Sequence, residues 1–188
     1  MSKPWNGRRL LLLSGPMGTG HVQASKALVE FANRRYPEME VTHLNVATLM
    51  TPGLRCFFTD IYHAILRHLP RLWHYMYHSS NVPPQNSPLF RRIMVRWRRT
   101  FEQRLLQFID AYRPDYVICT HFLPAEVLGT ARQSRNFDCL IANVVTDFFF
   151  FFAYIQPRLD LFFVANHDMA LIMHLRGVAR EKIYVTGC

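Results

Sequence analysis

Short, almost continuously apolar runs alternate with helical patterns along most of this chain. Such runs are typical of strands in a parallel sheet, because helices cover both faces of that kind of sheet. They predict strands at residues 10–13, 41–46, 116–119, 139–145, 161–164 and 183–185. Apolar positions at helical spacing predict helices at about 21–35, 124–135 and 168–175. The pattern therefore predicts an α/β fold, with a Rossmann-like parallel sheet between helices.

A stretch at about residues 51–112 interrupts this alternation with two long helical segments. Apolar residues recur at helical spacing from 54 to 76, where Pro70 predicts a kink or break, and again from 90 to 112. The joining residues 79–88 are rich in Ser, Asn, Pro and Gln and predict a loop. We expect a helical insertion between the second and third strands.

The insertion is strongly basic. Its second segment contains five closely spaced arginines, Arg91, Arg92, Arg96, Arg98 and Arg99. The whole chain has 22 Lys and Arg against 13 Asp and Glu, a formal net charge of +9 that favours anionic partners. A basic amphipathic helix with aromatic residues suits an anionic membrane surface, and a solvated helix face over an ordinary core is the alternative. Nucleic acid is not an expected partner, because no base-reading or stacking motif accompanies the charge.

The cysteines and the apolar runs give no indication of a metal-binding, disulfide-rich, secreted or membrane-spanning protein. Four widely spaced cysteines without a Cys-x-x-Cys pair indicate neither a zinc site nor a disulfide framework, so we expect no metal and reduced thiols. The chain shows no secretory signal, and no apolar run approaches the roughly 20 residues that span a bilayer. We therefore expect a cytoplasmic protein whose membrane contact is peripheral.

The first predicted strand leads into a glycine-rich turn at residues 15–21, GPMGTGH, and then into a helix. Such a turn suits a phosphate or another oxyanion, because free N–H groups and the positive end of the helix dipole face the ligand. A Walker loop is excluded, since His21 and Val22 stand where its Lys and its Ser or Thr belong, and Gln23 replaces the third glycine of the dinucleotide fingerprint. An oxyanion site and an ordinary strand-to-helix connection both remain as interpretations. In the first, His21 acts as a general base or, when charged, binds a diphosphate.

Several motifs resemble those of the diacylglycerol glycosyltransferases, which include monogalactosyldiacylglycerol synthases and processive diacylglycerol glucosyltransferases. Residues 18–21, Gly-Thr-Gly-His, resemble the glycine-glycine-glycine-histidine loop of that family, and small residues follow in the helix. Further along, the matches are a proline-aspartate strand that ends in Thr120 and His121, a valine-threonine-aspartate-phenylalanine motif within 144–148, and the closing stretch at Gly177 and 182–187. The motifs occur in the family's order over nearly the whole chain.

The resemblance implies the N-terminal half of a two-domain, GT-B type glycosyltransferase. In such enzymes the first domain takes the lipid acceptor, the second takes the nucleotide sugar, and the reaction occurs in the cleft between them. We expect residues 1–188 to form a single N-terminal acceptor and membrane-binding domain, with the C-terminal nucleotide-sugar domain absent or supplied by a separate chain. The implied partners are diacylglycerol, anionic membrane lipids and a UDP-sugar, and no cofactor is implied.

The implied function is glycolipid synthesis, in which a hexosyl group passes from a UDP-sugar to diacylglycerol at the membrane surface. Two alternatives remain: a non-catalytic membrane-binding module derived from this domain, and transfer of N-acetylglucosamine from its UDP derivative to a lipid-linked acceptor. The first differs from the enzyme in lacking a donor domain. The second differs in its acceptor.

The resemblance also assigns roles to individual residues. His21 is the base or positions the acceptor, with a helix-capping role as the alternative. Asp147 orients the reacting groups, and a cap at the strand end is its alternative. Three loop residues shape the acceptor or phosphate site: Gly18, Thr19 and Gly20. Three more residues are candidates on the acceptor side: Thr120, His121 and Thr146. The arginines at 91–99 are expected to bind the membrane surface.

Two positions depart from the family pattern. After the threonine-aspartate-phenylalanine motif the family usually has a histidine and then a tryptophan, and here those positions hold Phe151 and Tyr154. Phenylalanine neither transfers a proton nor forms a side-chain hydrogen bond, so the role of that histidine is missing or is taken by another residue. His121 and His167 are the candidates. The aromatic run at 148–152 either contacts acyl chains or packs in the core.

Overall fold

Six parallel strands form one sheet in the computed structural model, in the order β2-β1-β3-β4-β5-β6. The structure describes residues 6–16, 19–56, 59–60, 64, 67–69, 88–147 and 154–187, with 88–98 as backbone only. The strands are β1 Arg9–Ser14, β2 Glu40–Asn45, β3 Tyr116–Cys119, β4 Leu140–Val144, β5 Leu161–Val164 and β6 Ile183–Val185. The predicted α/β fold with a parallel sheet is confirmed.

Five α-helices that accompany the sheet have both ends within the described residues. They are α1 Gly20–Arg35, α2 Pro52–Cys56, α3 Pro88–Tyr112, α4 Phe122–Ala131 and α5 His167–Leu175. Two short 3-10 turns, Val46–Leu49 and Arg180–Lys182, precede α2 and β6. The second helix of the predicted insertion is confirmed as α3. Most of the first predicted segment, 54–76, and the loop at 79–87 lie outside the described residues, and Pro88 begins α3.

The helix predicted to end at about residue 135 ends at Ala131. Two other predicted boundaries are wrong because side chains cap the neighbouring turns. The second strand ends at Asn45 and not at Val46, since the Asn45 side chain accepts the N–H of Ala47 at 3.0 Å and starts a 3-10 turn. The helix predicted at about 124–135 begins at Phe122, since the ring of His121 accepts the N–H of Leu123 and caps it. Pro124 is tolerated there because first-turn N–H groups have no partner within the helix.

Helices cover the sheet on both faces. On one face Phe101, Leu105 and Ile109 of α3 and Leu128 of α4 belong to the larger core, together with alternate residues of the strands. On the other face α1 contributes Ala32 to a smaller core. The alternation explains the strand sequences: Leu11 and Leu13 belong to the larger core and Leu10 and Leu12 to the smaller one.

The order of the strands locates a binding crevice. The chain passes from β1 to β2 on one side of the sheet and then returns to β3 on the other side of β1. At such a switch point the connections leave in opposite directions and open a crevice at the carboxyl ends of the strands. The turn after β1, the residues after β3 and those after β4 therefore lie beside one another.

An ion pair joins α4 to the connections around β4 and β5. Two guanidinium nitrogens of Arg132 lie 2.7 Å from the two carboxylate oxygens of Asp160, which also accepts the N–H of Ile141 at 2.7 Å. Burial alone raises the pKa of Asp160, but the hydrogen bonds from Arg132 and Ile141 outweigh it and hold the pKa below its ordinary value. The carboxylate therefore stabilises the fold in its charged form.

This ion pair predicts a specific acid dependence of stability. Because the folded-state pKa of Asp160 is lowered, its contribution is complete above the ordinary value of 3.8 and is lost as the pH falls through the folded value. We expect Asp160→Asn to be less stable than the unmodified chain at neutral pH, with a difference that shrinks on acidification. Urea unfolding between about pH 6 and about pH 2 measures it. Asp138→Asn, at an exposed acid, is the control, and a difference that stays constant across that range contradicts the prediction.

Candidate functional site

The candidate site lies at the carboxyl ends of β1, β3 and β4. Gly15 follows β1, Thr120 and His121 follow β3, and Thr146 and Asp147 come shortly after β4. His21 joins them from the first turn of α1, which begins at Gly20. The structure thus brings together residues that are up to 132 positions apart, from Gly15 to Asp147, at the switch point of the sheet.

Thr120 connects β3 to both β1 and α1. It is fully buried, and its backbone N–H donates to the carbonyl oxygen of Leu13 at 2.9 Å. Its hydroxyl donates to the carbonyl oxygen of His21 at 2.9 Å, and Ser25 lies 2.9 Å from the same hydroxyl oxygen. Since a hydroxyl has one proton, Ser25 is the donor in that second bond. Thr120 therefore fixes the start of α1 against the end of β3.

The hydrogen bonds of His21 fix the position of its proton. Nδ1 lies 2.7 Å from the carbonyl oxygen of Thr120, and the Thr146 hydroxyl also contacts Nδ1. A carbonyl oxygen only accepts, so Nδ1 carries the hydrogen in the neutral ring. The lone pair is then on Nε2. His21 is 9% exposed, so the lone pair on Nε2 is held in one orientation.

Asp147 faces His21 with one oxygen and Tyr154 with the other. Oδ1 lies 4.0 Å from Nε2 of His21, while Oδ2 accepts the Tyr154 hydroxyl at 2.6 Å. The separation between Nε2 and Oδ1 is too long for a direct hydrogen bond. A reacting hydroxyl placed near both atoms would therefore lie beside a base and a carboxylate.

His121 supports the site in its neutral form. Its ring is 1% exposed, meets the His21 ring edge-on with centroids 4.6 Å apart, and stacks on Phe122 at 4.3 Å. Nδ1 accepts the N–H of Leu123 at 3.1 Å. Burial, and then the nearby His21, hold the pKa of His121 well below its ordinary value. His121 packs against His21 and caps α4. Because its ring is neutral, it does not supply a positive charge to the site.

The other predicted site residues fall into three groups. Thr19 is the exposed N-cap position of α1 without a side-chain cap bond, Gly20 is the exposed first residue, and Thr146 is half-buried. His21 is therefore not the cap. Gly18, Phe151 and the side chains of four arginines lie outside the described residues; of the cluster, only the Arg99 side chain is described, and it is exposed. His167 is the exposed first residue of α5, after β5.

Sequence reasoning missed two contacts in the site. Ser25 follows His21 by four positions, so the helical period places both on one face of α1, and that spacing was a usable signal. The bond between Tyr154 and Asp147, which lie seven positions apart, had no such signal in the sequence. Within the part of the chain that the structure describes, no three His, Cys, Asp or Glu residues form a group that could hold a metal ion.

The fold and site define a class of protein. The apo form of the lipopolysaccharide outer core galactosyltransferase WaaB has a similar fold, with a TM-score of 0.55 and 12% identity over 94% of this chain and 44% of that one. The chain has the fold of the N-terminal, Rossmann-like half of a GT-B glycosyltransferase. It belongs to the monogalactosyldiacylglycerol (MGDG) synthase family, whose model matches residues 21–188.

Two bacterial relatives are similar in sequence. The processive diacylglycerol β-glucosyltransferase of Bacillus cytotoxicus is 26% identical over 183 residues, which cover 95% of this chain and 44% of the relative. The uncharacterized glycosyltransferase YkoN of Bacillus subtilis is 28% identical over 97 residues, or 52% of this chain and 25% of that protein. The chain thus spans less than half the length of these curated relatives. None of the helices in its described residues has the length and apolar character to cross a membrane.

Proposed function

We propose that this chain supplies the acceptor half of a glycosyltransferase that transfers a hexosyl group from a UDP-sugar to the hydroxyl of diacylglycerol. Family membership and the names of the relatives support the class of reaction and the acceptor. The observation that carries the proposal is the arrangement of His21, with Nδ1 bonded to the Thr120 carbonyl and Nε2 facing Asp147.

In this proposal His21 is the general base. The acceptor oxygen forms a bond to the anomeric carbon, the bond from that carbon to the diphosphate oxygen breaks, and the diphosphate leaves with the electron pair. The hydroxyl proton passes to Nε2 of His21. Asp147 then lies beside the imidazolium and favours its charge, while the Thr120 carbonyl keeps accepting from Nδ1.

Gly18, Thr19 and Gly20 are proposed to shape the same crevice at the start of α1. Free N–H groups of a helix's first turn favour an anionic or hydroxyl oxygen, which suits a lipid headgroup approaching the switch point. Thr146 holds His21 from the β4 side. The relatives have a second half that these 188 residues do not match. In this proposal, that second half holds the nucleotide sugar.

A transfer assay tests the proposal. Radiolabelled UDP-glucose or UDP-galactose is incubated with anionic liposomes that contain diacylglycerol and either this chain alone or a hybrid in which it replaces the matching region of the B. cytotoxicus relative. We expect labelled glycolipid from the hybrid, and flotation of the chain with liposomes that increases with their diacylglycerol content. Absence of both would contradict the proposal. Flotation that does not depend on diacylglycerol, without transfer, would favour a non-catalytic membrane-binding module.

We further propose that the N-terminal part of α3 binds anionic lipid. Changing its five arginines to Gln should reduce binding to anionic liposomes more than about tenfold at low salt, because each cation near such a surface contributes about 1 kcal/mol. Liposome sedimentation measures the effect. A matched control removes five charges at exposed positions elsewhere: Lys26, Arg34, Arg35, Arg176 and Arg180. Equal losses in both variants would show that net charge, and not this helix, determines binding.

A further inference from the structure

Tyr154 is a buried phenol whose hydroxyl reaches the candidate site. Its side chain has no exposed surface, and its hydroxyl donates to Oδ2 of Asp147 at 2.6 Å. The ring of Phe122 meets it edge-on, with centroids 6.0 Å apart. Buried tyrosines usually place their hydroxyl on a polar partner, and here that partner is the carboxylate that faces His21.

The two oxygens of Asp147 have different surroundings. Oδ1 lies 4.0 Å from Nε2 of His21, and Oδ2 is held by Tyr154. A carboxylate on a short side chain at the end of a strand has several rotamers available, and 41% of the Asp147 side chain is exposed. A short hydrogen bond from a fully buried donor selects one of them, because the bond to a charged acceptor is about twice as strong as a neutral one.

Ring contacts connect Tyr154 to His21. Phe122 contacts Tyr154 on one side and stacks on His121 on the other, and the His121 ring meets the ring of His21. A series of ring contacts therefore links Tyr154, through Phe122 and then His121, to His21. We expect this packing to influence the distance between Nε2 and Oδ1, which is 4.0 Å.

We propose that Tyr154 is a positioning residue, which holds Asp147 in the rotamer that directs Oδ1 toward Nε2 of His21. The role rests on the proposed function, since it matters only if His21 takes a proton in the reaction. Tyr154 touches no reacting atom and acts through Asp147. Its hydroxyl donates the hydrogen bond to Asp147, while its ring fills space in the core. A variant can therefore remove the hydrogen bond and keep the packing of the ring.

The test separates the hydrogen bond from the ring. Tyr154→Phe removes the hydroxyl and keeps the ring, and three-bond scalar couplings to the Asp147 carboxyl carbon report its χ1 rotamer by NMR. We expect one rotamer in the unmodified chain and averaged couplings in Tyr154→Phe. The matched control is Tyr112→Phe, which removes a phenolic hydroxyl bonded to Thr42 at 3.0 Å away from the site. Unchanged Asp147 couplings in Tyr154→Phe, or equal averaging in the control, would overturn the proposal.

Two further measurements keep the outcome decisive. In the transfer assay, kcat of Tyr154→Phe should fall about tenfold, while KM for diacylglycerol should stay within about twofold of the native value. The acceptor still binds, but Asp147 is no longer held beside the base. If Tyr154→Phe does not fold, the Tyr154 hydroxyl proton of the unmodified chain, observed with ¹³Cζ-labelled tyrosine, should exchange slowly with water; fast exchange overturns the proposal. The NMR results do not depend on transfer, so failure of the proposed function is distinguished from failure of this one.

Discussion

His21→Asn is expected to lower hexosyl transfer roughly 10²- to 10⁴-fold, the usual contribution of a positioned general base. The asparagine amide nitrogen occupies nearly the place of Nδ1 and can still donate to the Thr120 carbonyl oxygen, 2.7 Å from Nδ1 in the native site. The variant therefore keeps the bond that connects α1 to β3 and loses only Nε2. A large fall in kcat with unchanged thermal stability would assign the effect to proton transfer.

A second histidine provides the control for this variant. Nδ1 of His174, near the end of α5, lies 3.2 Å from the carbonyl oxygen of Val178, so His174→Asn makes the same chemical change outside the site. Transfer should be unaffected there. The initial rate of radiolabelled glycolipid formation measures both variants in the hybrid enzyme. Transfer by His21→Asn at the native rate would remove His21 from the role of base, whatever its effect on stability.

Gly15→Ala is expected to reduce the free energy of unfolding by about 3 kcal/mol, because a Cβ at this position would overlap ring atoms of His121. Space and not backbone conformation makes glycine necessary, since Gly15 is not among the described glycines with positive φ. The ring cannot move aside without cost: it is buried, caps α4 through Leu123, and contacts His21. Loss of such a cap alone costs about 1 kcal/mol.

Gly20→Ala is the matched control in the same turn. A Cβ at Gly20 meets nothing within 4 Å, and Gly20 is the first residue of α1. Alanine there should leave stability unchanged or raise it by up to about 1 kcal/mol, since it reduces the freedom of the unfolded chain. Urea unfolding followed by circular dichroism compares the two variants. Equal stability of Gly15→Ala and Gly20→Ala would show that the His121 ring moves without cost.

Much of the fold could be predicted from the sequence, because burial on both faces leaves a direct mark on a strand. The runs that became β1, β3 and β5 are almost wholly apolar, and the helical spacing of Phe101 and Leu105 indicated the buried face of α3. Two of the boundaries that were wrong, at Asn45 and Phe122, depend on single side-chain caps, which periodicity does not detect.

The candidate site was predicted in part. His21, Thr120 and Asp147 were identified by motifs, and the structure brings the three together. The sequence did not determine that Nδ1 of His21 is the protonated nitrogen, since that depends on which atom of Thr120 it meets. It also did not indicate that the Tyr154 hydroxyl bonds to Asp147.

What the sequence determined by itself is the fold class, the parallel sheet and the residue types available for chemistry. Hydrophobic periodicity and the glycine turn are local properties, so they can be read along the chain. Only the tertiary structure decided the order of the strands, the switch point and the geometry around His21, because they arise from contacts between segments that are far apart in sequence. The overlap between Gly15 and the His121 ring is one such contact, and it explains why this glycine, unlike Gly20, has no room for a side chain.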